Sequence, residues 1–330
     1  MLSVGLSTSA LAETMLNILT LPQRLDFGLV QDFEKNTKIS VRIEFVTSPL
    51  EFEVKIKSLP NSWDVVIADE QRLVRLSDEK LLKSIPDSTL VPPNLMGLSR
   101  RAKANSDGRA FVNLMADPLG IMYLAESKSS KNAIDWNWLV DPSINPQWRS
   151  RVALFKDERL NLMIAAKATG SAFPVEIGEQ RKGLLSWMEE AKLQGRNTPF
   201  EKVVTSFLAN KIVAAVSWQS DYLIASRYVK NLEFAVPSSG TYFERIGLGL
   251  VTSSRNESAA LEFMKFIHAK RDRLAQKRGL MALNSSEMTG SHVRNWRVFS
   301  DDIVWFGAKS PASEKLLQAV ETLALRYKKH

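Results

Sequence analysis

Trp63-Asp64-Val65-Val66-Ile67-Ala68-Asp69 is the stretch of this chain that decides its fold. Its centre, Val65 to Ala68, is a short apolar run, which is typical of a strand buried on both faces of a parallel sheet. The segments on either side, Leu50 to Leu59 and Gln71 to Leu82, predict helices. Asp69-Glu70-Gln71-Arg72 therefore follows the carboxyl end of a buried strand, which is where open α/β sheets hold their ligands.

Composition narrows the class of protein. The chain has 330 residues, which predicts two lobes, each with its own core. It has no cysteine, which excludes disulfides, thiolate metal sites and a cysteine nucleophile. The three histidines, His268, His292 and His330, lack metal-ligand spacing, and no GxSxG, HExxH, Walker or GxGxxG motif occurs. The sequence therefore predicts neither an enzyme nor a cofactor.

The formal net charge of +8 raises the question of a nucleic-acid partner. Lysines and arginines are spread along the chain and interleaved with acids, as in the segment from Lys265 to Arg278, and no recognition motif accompanies them. A basic, solvated surface explains this pattern, so we expect no nucleic-acid partner.

The first twelve residues, Met1 to Ala12, carry no charge and end in Ala10-Leu11-Ala12. This ending fits the small-x-small rule for signal cleavage, although a positive n-region is missing. The segment therefore predicts a signal-peptide remnant, an exported periplasmic protein and a mature chain from about Glu13; the alternative is a frayed, uncharged N-terminus. No later segment approaches the roughly 20 apolar residues that span a bilayer.

Apolar periodicity predicts alternating strands and helices along the chain. The first three strands occur in βαβαβα order, which predicts a parallel sheet. A second α/β set follows a polar crossing at 88–108 and two strands that are broken by Asp117-Pro118. The predicted strands are 16–21, 39–45, 65–68, 110–115, 120–123, 151–155, 212–218, 232–236 and 246–251. The predicted helices are 27–35, 50–59, 71–82, 159–169, 177–193, 200–209, 221–229, 257–276 and 312–327.

Four landmarks in this order resemble a known family, the two-lobed periplasmic solute-binding proteins of ABC importers, in their spermidine/putrescine-binding branch. The likeness runs from about Leu16 to Leu325. One landmark is similar to the family's F-x-K-x-T-G-I-x-V turn, with Lys38 in place of glycine. The landmarks are Phe33 to Val41, Trp63 to Val66, Lys211 to Trp218, and Gly247 to Thr252 followed by Glu257 to Ile267.

The resemblance implies an α/β chain with the type 2 periplasmic-binding fold and a ligand cleft between two lobes. It implies that residues 13–115 plus 247–300 form lobe one, that 116–246 form lobe two, and that 301–330 form a closing C-terminal segment. It further implies a small-molecule ligand, a membrane permease as partner and a monomeric protein.

The resemblance also indicates the ligand-binding residues. Asp157 stands where the family has a ligand carboxylate, and Trp218 where it has an aromatic wall; a helix cap and a core tryptophan are the alternatives for these two residues. Several other family positions differ here, since most of the ammonium-binding acids are gone. The predicted ligand-binding residues are Gln23, Arg24, Gln71, Arg72, Asp117, Asp157, Trp218 and Glu244.

Two kinds of solute remain open at this point. A cationic amine would be held by Asp157, Glu244 and Asp117, because each desolvated ammonium needs a carboxylate. An anion would be held by Arg24, Arg72 and Arg159, because a guanidinium offers a planar pair of donors to a carboxylate or phosphate. Because most of the family's ammonium-binding acids are missing, a third possibility also stays open: a sensor or interaction protein that has the same fold but no transport function.

Overall fold

The computed structural model describes residues 14–22, 24–46, 49–86, 110–128, 133–141, 143, 146–155, 158–170, 179–197, 202–278, 280–282 and 297–298. The chain divides into two compact units. Unit 1 comprises Met1–Leu114 and Ile246–Leu274, and unit 2 comprises Met115–Arg245 and Ala275–His330. The finer division predicted from the sequence, with separate segments at 1–12 and 301–330, stays a prediction.

Unit 1 begins with the predicted βαβαβα order. Strand β1 pairs in parallel with β2 and with β3, and β3 pairs antiparallel with the late strand β10. The parallel sheet predicted for this part of the chain is therefore confirmed. The strands are β1 Met15–Thr20, β2 Ser40–Phe45, β3 Val65–Asp69, β4 Leu82–Lys83 and β10 Tyr242–Val251. The helices are α1 Phe27–Thr37, α2 Pro49–Ser58, α3 Glu70–Asp78, α8 Glu257–Ala269 and α9 Arg271–Arg278.

The core of unit 1 forms around β3, in which every residue is buried. Helix α1 packs Phe33 against Phe263 of α8 with the rings edge to face and their centroids 5.1 Å apart. Each fully buried side chain of this size contributes about 1.5–3 kcal/mol relative to an exposed one. The apolar run read from the sequence is therefore the centre of the hydrophobic core of this unit.

Asp64, directly before β3, ties three segments of unit 1 together. Its carboxylate is buried and accepts hydrogen bonds from the backbone N–H of Asn17 at 2.8 Å and from Ser254 Oγ at 2.7 Å. The Nδ2 of Asn256 lies 3.3 Å from the same carboxylate. The start of β3 is thereby fixed to β1 and to the turn that leads from β10 into α8.

Unit 2 contains a second sheet in which the middle strands are parallel. Strand β6 pairs in parallel with β7 and β8, whereas β5 pairs antiparallel with β8 and β9. The strands are β5 Val112–Leu124, β6 Val152–Leu154, β7 Gly195–Asn197, β8 Ala214–Trp218, β9 Leu232–Ala235, β11 Met281–Ala282 and β12 Arg297–Val298. The helices are α4 Glu158–Ala168, α5 Glu179–Gln194, α6 Val203–Leu208 and α7 Gln219–Ala225.

The core of unit 2 is rich in aromatic side chains. Trp136, Trp138 and Trp148 are buried together, and the centroids of the Trp138 and Trp148 rings lie 5.7 Å apart. At the edge of this cluster the Tyr123 hydroxyl donates to Glu233 Oε2 at 2.5 Å. Burial, together with this hydrogen bond, raises the pKa of Tyr123 above the usual value for a tyrosine.

The predicted break at Asp117-Pro118 is wrong, because β5 runs without interruption from Val112 to Leu124. Met115 and Ala116 pair with β11, while Leu119 begins the segment that pairs with β8. Pro118 lies between these two registers, so its missing N–H removes no hydrogen bond from either of them. Strand β5 therefore continues from unit 1 into unit 2.

Several predicted boundaries also need correction. Strand β10 begins at Tyr242 rather than at residue 246, and it too passes from one unit to the other. The helix predicted at 257–276 is two helices that meet at Lys270. The helix predicted at 71–82 ends at Asp78, because Lys80 has a left-handed backbone (φ 59°) and Leu82 starts β4. The crossing at 88–108 and the helix predicted at 312–327 lie outside the described residues.

Candidate functional site

The parallel strands of unit 1 end side by side. Thr20 at the end of β1 is in register with Ile67 of β3, and its Oγ1 donates to the Ile67 carbonyl at 3.1 Å. The chain after β1 and the first turn of α3 therefore lie at the same edge of the sheet. This carboxyl edge of unit 1 is the type of location at which open α/β sheets bind ligands.

Asp69 and Arg72 form a salt bridge at this edge. The Asp69 carboxylate caps α3 by accepting from the backbone N–H of Arg72 at 3.1 Å, and it also accepts from the Arg72 guanidinium. Asp69 is fully buried and the Arg72 side chain is mostly buried. The guanidinium charge is therefore largely compensated within the protein.

Two residues outside the predicted ligand-binding set also lie at this edge, and one of them, Glu70, belongs to the stretch 69–72 that the sequence already placed there. Glu70 is buried, and its Oε1 accepts from Asn113 Nδ2 at 3.3 Å. Gly247 of β10 packs so closely here that a Cβ would lie 2.6 Å from the Val112 carbonyl oxygen and 2.9 Å from Asn113 Oδ1. The position of Glu70 in the first turn of a helix after a buried strand is a signal that could have identified it.

The carboxyl edge of unit 2 is formed by β6 and β8. Asp117 of β5 reaches this edge, where its carboxylate accepts from the backbone N–H of Ser220 at 3.1 Å and from Ser220 Oγ at 2.5 Å. Asp117 is buried, and its charge holds the start of α7. Trp218, the last residue of β8, is half-buried and packs against the tryptophan-rich core.

Asn161 is a further polar residue at this edge that the sequence reasoning missed. It lies in the first turns of α4, is almost fully buried, and donates from Nδ2 to the Phe155 carbonyl at 2.8 Å. Phe155 directly follows β6. No sequence signal distinguished this residue, because it is surrounded by the apolar residues of α4.

The structure assigns the predicted site residues to the two units as follows. Arg24, Gln71 and Arg72 belong to unit 1 and are partly exposed. Asp117, Trp218 and Glu244 belong to unit 2, and Glu244 lies within β10 rather than in a loop. Gln23 and Asp157 lie outside the described residues, as does the side chain of Arg159. The prediction that these residues face one cleft stays a prediction.

Neither a metal-binding cluster nor a membrane-spanning helix occurs among the residues that the structure describes. Within the described ranges, no three histidine or carboxylate side chains lie close enough together to hold a metal ion. None of the helices that the structure describes is long and apolar enough to cross a membrane. The described groups at the two sheet edges are carboxylates, amides, hydroxyls, the Trp218 indole and the Arg72 guanidinium.

A comparison with protein families decides the wider classification. Residues 28–277 match the model of the bacterial extracellular solute-binding proteins, which is most of the chain. The chain belongs to this family. A search of curated proteins found no relative of this solute-binding protein.

Solved structures resemble this solute-binding protein over nearly its whole length. PotD, a spermidine/putrescine ABC transporter substrate-binding protein from Streptococcus pneumoniae, is 16% identical, with a TM-score of 0.76 over 94% of this chain and 99% of PotD. The TpPotD lipoprotein of Treponema pallidum is 14% identical (TM-score 0.70; 94% and 99%). Iron-bound HitA from Pseudomonas aeruginosa is 13% identical (TM-score 0.63; 94% and 99%). These likenesses confirm the predicted α/β periplasmic-binding fold.

Proposed function

We propose that this chain is the solute-binding component of an ABC importer, which captures a small polar solute outside the cytoplasm and delivers it to a membrane permease. The family match over residues 28–277 supports solute binding, and the likeness to PotD supports the link to an importer. The uncharged segment from Met1 to Ala12, with its small-x-small ending, supports export to the periplasm. The mature protein is expected to act as a monomer.

We propose further that the solute is a small cationic amine such as putrescine or spermidine. The observation that carries this choice is that a buried carboxylate and an indole share one face of the sheet at the carboxyl edge of unit 2. Trp218 is in register with Leu119, and Asp117 lies two residues before Leu119 on the same face of β5. A carboxylate beside an aromatic face is the combination that binds an ammonium group.

The alternative of an anionic solute is weakened by the charged groups at the carboxyl edge of unit 1. Arg72, one of the three arginines on which it depends, already has the Asp69 carboxylate as its partner. Glu70, a second buried acid, also lies at the carboxyl edge of unit 1. An anion brought close to this carboxylate would lose binding free energy in a poorly solvated site.

Thermal-shift and calorimetric titrations test both levels of the proposal. Putrescine and spermidine should raise the melting temperature by mass action, whereas succinate and inorganic phosphate should not. Absence of heat and of stabilisation with both amines at millimolar concentration refutes the amine assignment. Absence of stabilisation by amines, amino acids, dicarboxylates and sugar phosphates alike refutes solute binding itself.

A pair of variants tests the role of Asp117. Asp117→Asn keeps an oxygen acceptor for Ser220 and removes the charge, and it should weaken putrescine binding about tenfold or more. Asp135 is the matched control, because it accepts from Ser238 Oγ at 2.6 Å and from the N–H of Ser239 at 2.7 Å in the same unit, and it follows no parallel strand. Asp135→Asn should leave putrescine affinity unchanged.

A further inference from the structure

Asn161 of unit 2 carries a buried polar atom for which the described part of the chain supplies no hydrogen-bond partner. The residue is 2% exposed, and its Nδ2 donates to the Phe155 carbonyl at 2.8 Å. Its Oδ1 is buried and accepts no hydrogen bond from the described residues. Because a carbonyl oxygen can only accept, the amide cannot turn around without losing the bond to Phe155. Oδ1 is therefore a fixed acceptor in need of a donor.

This acceptor lies at the carboxyl edge of unit 2. Asn161 is the fourth residue of α4, and helical side chains lean toward the N-terminus of their helix, here toward the end of β6. Ala153 of β6 is in register with Ala215 of β8, so continuing this register brings Phe155 level with Ser217. Asn161 is therefore hydrogen-bonded to a residue, Phe155, that lies opposite Ser217, the residue directly before Trp218.

The neighbouring polar groups at this edge are satisfied within the protein. Both carboxylate oxygens of Asp117 accept from Ser220. Thr241 Oγ1 donates to the Leu119 carbonyl at 2.6 Å, and Ser217 Oγ lies 3.2 Å from the Trp218 carbonyl oxygen. A buried acceptor without a donor is costly, and folded proteins leave few such groups. Among the described residues, Asn113 Oδ1 in unit 1 is a second buried acceptor without a donor, but at the carboxyl edge of unit 2 the unmet requirement is that of Asn161.

We propose that the Oδ1 of Asn161 accepts a hydrogen bond from an N–H group of the bound solute. Asn161 is then a residue that determines the specificity of the protein. This inference rests on the proposed function, since it concerns the solute that the protein binds. A primary ammonium satisfies the acceptor, whereas a carboxylate or a quaternary ammonium brings no N–H donor. Asn161 therefore selects solutes by the donors that they carry, in addition to the selection by charge from Asp117.

Calorimetric titration with putrescine and with its bis(trimethylammonium) analogue, which has the same charge and no N–H donor, tests the proposal. Asn161→Leu should lower putrescine affinity about tenfold or more and leave the affinity for the analogue unchanged. Asn161→Asp keeps an acceptor but loses the Nδ2 donor to the Phe155 carbonyl, so it should bind putrescine more tightly than Asn161→Leu does. Equal putrescine affinity of wild type and Asn161→Leu overturns the proposal, and means that the acceptor meets water only.

A second measurement needs no ligand. Asn161→Leu removes the unsatisfied acceptor together with the Nδ2 donor to the Phe155 carbonyl, so the two effects oppose each other and the melting temperature should fall by less than about 5 °C. A larger fall means that both ends of the amide are bonded in the free protein, which overturns the proposal.

Asn137, an exposed asparagine of the same unit, is the control for both measurements. Its Nδ2 donates to the Ala168 carbonyl at 3.3 Å and its Oδ1 accepts from Trp187 Nε1 at 3.2 Å, so both ends of its amide are satisfied. Asn137→Leu should lower the melting temperature and leave putrescine affinity unchanged. If the wild-type protein binds putrescine and Asn161→Leu binds it equally well, the proposed function stands and this inference alone fails. If the wild type binds no solute, both fail.

Discussion

Replacing Asp64 with alanine should destabilise unit 1 strongly. The carboxylate accepts one bond from a backbone N–H of β1 and one from Ser254 Oγ, at 2.8 and 2.7 Å, and each such bond to a charged group is worth about 1.5–3 kcal/mol. Water entering the space left by the side chain would recover part of the sum. The expected loss is therefore about 3–5 kcal/mol of unfolding free energy, which is a large share of the stability of an ordinary domain.

Urea unfolding followed by tryptophan fluorescence measures this loss. Trp63 is the neighbour of Asp64 and is buried in the core of unit 1, so its emission should report the transition of that unit. Asp78→Ala, at an exposed position of α3, is the control and should change the unfolding free energy by less than about 0.5 kcal/mol. A loss below about 1 kcal/mol for Asp64→Ala would refute the reasoning, since it would mean that water replaces the carboxylate without cost.

Three further predictions concern other parts of the fold. Gly120→Ala should cost about 1–3 kcal/mol in urea unfolding, because its Cβ would lie 2.4 Å from Phe234 Cζ; an unchanged midpoint would contradict this packing. Lys38→Gly should stabilise unit 1 by about 0.5–1 kcal/mol, because Lys38 ends α1 with a left-handed backbone (φ 62°); lower stability would contradict it. Wild-type stability should fall as the pH rises above about 10, where tyrosine ionises in the unfolded chain while the raised pKa keeps Tyr123 protonated in the folded protein. Tyr123→Phe should reduce this fall, measured as urea midpoints from pH 8 to pH 11.

The alternation of elements was predictable because each buried strand and each amphipathic helix leaves its own period in the sequence. The continuity of β5 was not, because Asp117-Pro118 has the local chemistry of a turn and only the exchange of partners from β11 to β8 allows proline there. At Lys38 the sequence pattern showed an unusual residue, and the structure explains why the position matters. The family pattern has glycine at this position, and the structure gives the physical reason, since the residue takes a left-handed backbone at the end of α1.

The candidate site was less predictable than the fold. The rule of strand ends placed Arg72 after β3, and the family resemblance selected Trp218, but nothing in the sequence shows that Arg72 is neutralised by Asp69. The role of Asp117 depends on Ser220, 103 residues later in the chain. Asn161 could not be selected from the sequence, because what distinguishes it is a buried side-chain oxygen without a hydrogen-bond donor. That property exists only in the folded chain.

Because β5 and β10 each run from one unit into the other, the order in which the chain is synthesised affects how unit 1 can fold. Residues 115–245 of unit 2 are synthesised as one block, whereas unit 1 must wait for residues 246–274 to complete its sheet. At roughly 5–20 residues per second, β3 emerges on the order of ten seconds or more before its antiparallel neighbour β10. During that interval β3, in which every residue is buried in the folded protein, presents an unpaired edge, which is a template for wrong pairing. Early folding of residues 115–245 would shorten the loop that the first 114 residues must close before β3 meets β10.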